Sequence, residues 1–133
     1  MAVTYRIDPA QKVVHTQVEG RLNLEDALTH AYTLKNDPQF RPEYSELVDL
    51  SKFTGSDLPP AAMEAFANDL PGEVFARHAR RAVVAPAEPI FDLSRQYQRM
   101  RPNAESFRVF HTMDEAKEWL GIMTKSNKSM LFE

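Results

Sequence analysis

The sequence predicts a single α/β domain on a mixed sheet of about five strands with about four helices, in the order β-β-α-β-α-β-α-β-α. Three observations predict it. Two β-rich segments flank Asp8-Pro9 near the amino terminus, as in a hairpin. Segments with helical apolar spacing then alternate with short apolar runs. Finally, 133 residues at 43% hydrophobic content supply one core and not a second. Strands separated by helices imply parallel crossovers, and the hairpin adds an antiparallel pair, so the sheet is expected to be mixed.

Val3, Tyr5 and Ile7 alternate with polar neighbours, and Val13 to Gly20 resumes a β composition after the turn. Asn23 suits the cap of a helix whose apolar positions are Leu24, Ala27, Leu28, Ala31 and Leu34. Glu25 and Asp26 suit its positive end, and Asp37-Pro38 stops it. Glu46 to Leu50 reads as a short strand. Pro59-Pro60 then opens a second helix carrying Met63, Phe66, Ala67 and Leu70, ended by Pro71-Gly72.

Ala82, Val83 and Val84 form an unbroken apolar run, the pattern of a strand covered on both faces, and this strand is expected to be central in the sheet. A third helix follows Pro89 with Ile90, Leu93, Tyr97 and Met100 on one stripe, broken at Arg101-Pro102-Asn103. Phe107, Val109 and Phe110 make a last short strand. Thr112 and Glu115 have capping-box spacing for a final helix that turns Met113, Ala116, Leu120 and Met123 to the core. Residues 1–121 are thus assigned to the domain. Residues 122–133, which lose periodicity in TKSNKSMLFE, are assigned to a tail.

Composition narrows the function. A net charge of -3 and a pI near 5.8 argue against nucleic-acid binding, which needs a basic surface. The absence of cysteine removes disulfides, thiolate metal sites and cysteine nucleophiles. No segment has the roughly 20 apolar residues of a membrane span, and MAVTYRIDPAQK lacks a signal-peptide core, so a cytoplasmic location is expected.

LVDLSKFTGSDL at the third strand and its turn, within this element order, resembles the STAS domain of anti-sigma-factor antagonists and of the cytoplasmic part of sulfate transporters. YRIDPAQKVV, KNDPQF and RVFHTMDEAKEWL are similar to segments of a STAS-like family of standalone bacterial proteins, and the resemblance runs from Val3 to Gly121. It implies a non-enzymatic regulatory module that binds a protein partner through the loop after the third strand and the second helix. In the antagonist branch an aspartate and a phosphorylatable serine open the second helix. Asp57 matches the aspartate, but Leu58, Pro59 and Pro60 stand where the family places serines and glycine. Thr54 and Ser56 lie nearby without occupying the phosphoacceptor position.

Asp49, Ser51, Thr54, Ser56 and Asp57 are therefore the candidate partner-binding or regulatory residues, at the carboxyl end of a strand where open α/β sheets bind ligands. Ser, Thr and Asp also simply turn chains and cap helices, and Asp57 is placed to do so. Phe53, Phe66, Phe75 and Phe91 concentrate apolar bulk around the second and third helices. They are candidates to line a pocket for an apolar, lipid-like small molecule between helices and sheet, the alternative function, or else they are ordinary core. The expected partner is a protein or a second copy of the chain in a homodimer.

The arginines from Arg77 to Arg108 outnumber the acids among them and offer an anionic partner a dock, or simply a solvated face. Arg80 and Arg81 are expected to point differently. The four histidines lack metal-ligand spacing, and Glu25-Asp26 and Asp114-Glu115 are explained by the helix dipole. With neither a nucleophile motif nor a Gly-rich phosphate loop, catalytic residues, metal and cofactors are all expected to be none.

Overall fold

A computed structural model describes residues 2–67, 74–76, 78–101 and 104–122. Among these residues five strands form one sheet in the order β1-β2-β3-β4-β5: β1 (Val3–Asp8), β2 (Val13–Leu22), β3 (Ser45–Ser56), β4 (Arg81–Val84) and β5 (Phe107–Phe110). The β1–β2 pair is antiparallel and the other three are parallel, so the sheet is mixed as expected. Four helices, α1 (Leu24–Lys35), α2 (Pro60–Ala67), α3 (Glu88–Met100) and α4 (Met113–Leu120), alternate with the strands after the hairpin. A short 3-10 turn, Ala104–Ser106, leads into β5.

Local chemistry sets the helix ends. Asn23 accepts the Asp26 N–H at 2.8 Å at the start of α1, and Pro89 sits in the first turn of α3. At α4 the Thr112 hydroxyl oxygen accepts the Glu115 N–H at 3.3 Å, and that hydroxyl donates to Glu115 Oε1 at 2.9 Å. Gly121 closes α4 in the left-handed conformation, φ 75°, and Ile122 N–H then reaches back to the Lys117 carbonyl at 3.0 Å. Ile122 is 7% exposed and belongs to the core, so the domain extends past the boundary expected at residue 121. Residues 68–73, where α2 was expected to end, and those from Met123 on lie outside the described residues.

Successive crossovers step in one direction across the sheet, which places α1, α2 and α3 on the same face by the right-handed rule. The opposite face of β3, β4 and β5 is covered by α4. There Val13, Leu47, Ala82, Val84, Ala116 and Ile122 form one buried cluster, flanked by Phe110, Met113, Trp119 and Leu120. The other face has a second cluster of Val14, Leu34, Phe40, Phe75 and Ala79, in which the Phe40 and Phe75 rings meet edge to face at 5.1 Å. β4 is covered on both sides, which explains its unbroken apolar sequence. The expected apolar stripe of α1 is only partly inward: Leu34 is buried, whereas Leu24 and Leu28 are 38% and 39% exposed.

β3 runs to Ser56 and is far longer than the expected Glu46 to Leu50 segment. Between Gln17 and Glu19 of β2 the partner residue moves from Asp49 to Lys52. Between Gly20 and Arg21 it moves from Phe53 to Gly55. Each step inserts one extra residue into β3, a bulge that resets which side chains face which way.

The cap geometry yields a first prediction. Thr112→Ala removes the side-chain partner of the Glu115 N–H and is expected to lower stability by about 1 kcal/mol in urea denaturation.

Candidate functional site

Side chains from the sheet and from α1, α2 and α3 line a partly open cavity of about 270 Å³. That volume lies between the roughly 150 Å³ of an apolar cavity that admits benzene and the roughly 300 Å³ at which drug-sized sites begin. Val3, Val18, Val48, Val83 and Phe107 from the sheet and Ala31, Leu34 and Leu93 from the helices give it an apolar wall. The deep residues Val3, Val18, Leu34, Phe75, Val83 and Phe107 are buried, while Leu22, Phe53, Leu58 and Met63 are half-buried towards the carboxyl ends of β2 and β3.

The bulges build this wall. Val48 and Leu50 obey the ordinary two-residue alternation of a strand, and each bulge then stretches one interval to three, so that Phe53 and Ser56 face the cavity as well. Without them the polar Lys52 and Thr54 would take those inward positions.

A polar cluster interrupts the apolar wall at the entry ends of β3 and β4. Glu46 is 3% exposed and shares the cavity face with Val48 and Leu50. Arg81 Nε donates to Glu46 Oε1 at 3.0 Å, with Nη2 2.9 Å from the same oxygen, and the Thr16 hydroxyl donates to Oε2 at 2.9 Å. The Arg81 guanidinium also lies over the Phe75 and Phe107 rings, 5.0 and 5.9 Å from their centroids. His30 of α1 places Nε2 4.0 Å from Glu46 Oε2 and packs edge-on against Tyr5. Burial lowers the His30 pKa below its ordinary value, nearby Arg81 acts in the same direction, and Glu46 opposes both. Tyr5 donates its hydroxyl to Asp37 Oδ2 at 2.8 Å, and burial together with that carboxylate pushes its pKa up to about 12.

The residues proposed from sequence are distributed over several places. Asp49 points to the α4 face, alongside Thr4, Arg6, His15, Gln17 and Met113, and accepts the Ser51 N–H at 2.9 Å. Ser51 and Thr54 are exposed on β3. Ser56 lines the cavity and its hydroxyl oxygen accepts the Leu58 N–H at 3.1 Å. Asp57 is not the cap of α2, which starts at Pro60 with Met63 N–H bonded to the Pro59 carbonyl. It instead accepts Arg21 Nε at 2.7 Å, and that hydrogen bond holds its carboxyl below the usual range. Arg21 also donates to the Ser56 carbonyl at 3.2 Å, clasping the ends of β2 and β3.

Phe53 and Phe75 line the cavity. Phe91 does not: it stacks on His111 with ring centroids 3.8 Å apart, beside the contact of His111 with Glu88. Phe66 is in α2, and its side chain lies outside the described residues. Arg77 lies outside the described residues, and the described arginines are distributed over different places. Arg80 and Arg108 lie over Trp119, Arg81 and Arg101 over Phe107, and Arg80 and Arg81 diverge as expected. Among the described residues no group of three His, Asp or Glu side chains could hold a metal, and no helix is long and apolar enough to cross a membrane.

Sequence reasoning missed Glu46, Arg81, Thr16 and His30. The signal was available in part: alternation puts Glu46 on the same face as Val48 and Leu50, a carboxylate on an apolar surface that requires a buried partner.

No protein-family model and no curated protein matches the chain. Among solved structures it is similar to an uncharacterized protein of the DUF3478 family with a SpoIIAA-like fold from Shewanella loihica PV-4. The two share 21% identity at a TM-score of 0.62, over 90% of this chain and 94% of that one. The likeness establishes the fold: this is a SpoIIAA-like, that is STAS-like, α/β arrangement.

Three outcomes follow from this geometry. Arg81→Met strands a buried carboxylate and is expected to cost about 3–5 kcal/mol, much of it recovered in the double variant Glu46→Leu/Arg81→Met, as a double-mutant cycle in urea would measure. His30 has a lowered folded-state pKa, so the unfolded chain takes up its proton first. Its contribution to stability is present above the unfolded value of 6.5 and is lost as pH falls through the folded value. His30→Gln is expected to flatten that part of the acid-side decline. Gly55 has φ 149°, and an added Cβ would lie 2.7 Å from Arg21 Nη1, so Gly55→Ala is expected to lower stability by about 1–2 kcal/mol.

Proposed function

We propose that this chain is a non-enzymatic binding module of STAS-like fold that holds an apolar small molecule between its sheet and helices α1 to α3. The observation that carries this is the cavity itself: a partly open, mainly apolar cavity of about 270 Å³ with a few converging polar groups at one end, the usual constitution of a small-molecule site. Binding suits the polar end better than turnover does. Glu46, the buried acid, already has both carboxylate oxygens engaged, one by Arg81 and one by Thr16.

A second function, docking of a protein partner or a second copy of the chain, is what the STAS resemblance implies for the end of β3 and for α2. Exposed Thr54 and Asp57 support it there, and α1 leaves Leu24, Leu28 and Tyr32 open to solvent. The two functions are compatible, since Leu58 and Met63 line the cavity while flanking the segment that would carry the docking surface. Bound ligand at that rim offers a route to regulating a partner.

Native mass spectrometry of gently purified protein followed by solvent extraction tests both, because assembly size and retained apolar mass come from one sample. Saturable binding of the uncharged probe phenylnaphthylamine, abolished by Ala31→Phe in a variant of unchanged circular dichroism, is the expected outcome for the cavity. Absence of saturable binding in the unaltered protein would sink the small-molecule function.

A further inference from the structure

We propose that the cavity selects an uncharged ligand, an apolar chain or ring system ending in a single alcohol or ketone, and discriminates against both carboxylates and amines of the same size. This rests on the cavity being a ligand site and names the chemistry of its occupant. Among the described lining residues the charged groups are Glu46 and Arg81, and they face one another at 2.9 to 3.0 Å. Their formal charges cancel within the wall.

A carboxylate entering this end would have to share Arg81 with Glu46 and lie beside a like charge that is 3% exposed. An ammonium would have to share Glu46 with Arg81 in the same way. Either ion would also surrender its hydration without gaining an unshared counter-ion. A hydroxyl or carbonyl carries no such cost. Thr16 and His30 offer hydrogen-bonding atoms beside the pair. The remaining lining, from Val3 to Phe107, suits an apolar body.

The test is displacement of phenylnaphthylamine from the full chain by decanol, decanoate and decylamine, three heads on one chain length, at a pH of about 8 where imidazole is neutral. Decanol is expected to compete at least tenfold better than either ion. Glu46→Gln leaves a net positive wall and is expected to shift the preference towards decanoate by tenfold or more. The double variant Glu46→Gln/Arg81→Gln restores neutrality and is expected to keep the preference for decanol. Should the single variant fail to fold, the unaltered protein and the double variant still decide the matter. Decanoate or decylamine competing as well as decanol would overturn the uncharged head while leaving the cavity a ligand site. Failure of all three to displace a bound probe would likewise overturn it. Failure of the probe to bind at all would overturn both proposals.

Discussion

A carboxylate in an apolar wall is the constraint around which one face of this protein is arranged. Glu46 sits on the inner face of β3, where its neighbours Val48 and Leu50 are hydrophobic, and burial of such a charge is tolerated only with partners. Those partners come from the strands on either side, Thr16 from β2 and Arg81 from β4. Satisfying one acid thereby fixes the relation of three strands at their entry ends. The guanidinium is held in turn by the Phe75 and Phe107 rings, which shield it from water. A buried ion pair adds little net stability over a hydrophobic replacement. Its physical value here is a polar end to an otherwise apolar chamber.

The length and irregularity of β3 supply the other half of that chamber. A regular strand would alternate and bring Lys52 and Thr54 inward, introducing an unpaired ammonium. Two inserted residues instead deliver Phe53 and Ser56, and Lys52 turns out to solvent to meet Glu19 at 3.3 Å. The second insertion brings Gly55 close beneath Arg21, where no larger residue fits without displacing it. Arg21 can then reach Asp57 and the Ser56 carbonyl, closing the far end of the β2–β3 pair. Strand irregularity, cavity lining and surface clasp are thus consequences of one local departure from period two.

Much of this architecture was legible in the residues. Helix starts at Asn23, Pro60, Pro89 and Thr112 were readable because caps and prolines act within a few residues of where they stand. The apolar run of β4 signalled a strand covered on both faces, although the strand at the centre of the sheet is β3 and β4 lies one place from the edge. The end of β3 was not legible, since SKFTGS reads as a turn to any rule that expects strict alternation and depletes glycine from strands. Asp57 was matched to a helix-opening motif, yet its partner Arg21 lies 36 residues away and is found only when β2 and β3 are laid side by side. Of the phenylalanines singled out together, Phe53 and Phe75 lie in the cavity wall and Phe91 lies elsewhere, because helical spacing alone does not say that His111 waits to stack on its ring.

The sequence by itself determined the element order, the mixed sheet and the helix starts, because propensity, capping and apolar periodicity operate over a single turn or a few strand residues. Only the tertiary structure decided which face each side chain of β3 takes, that Glu46 meets Arg81, and that a cavity lies between sheet and helices. Those depend on strand register and on pairs separated by some 30 residues or more, for which no local pattern carries the information.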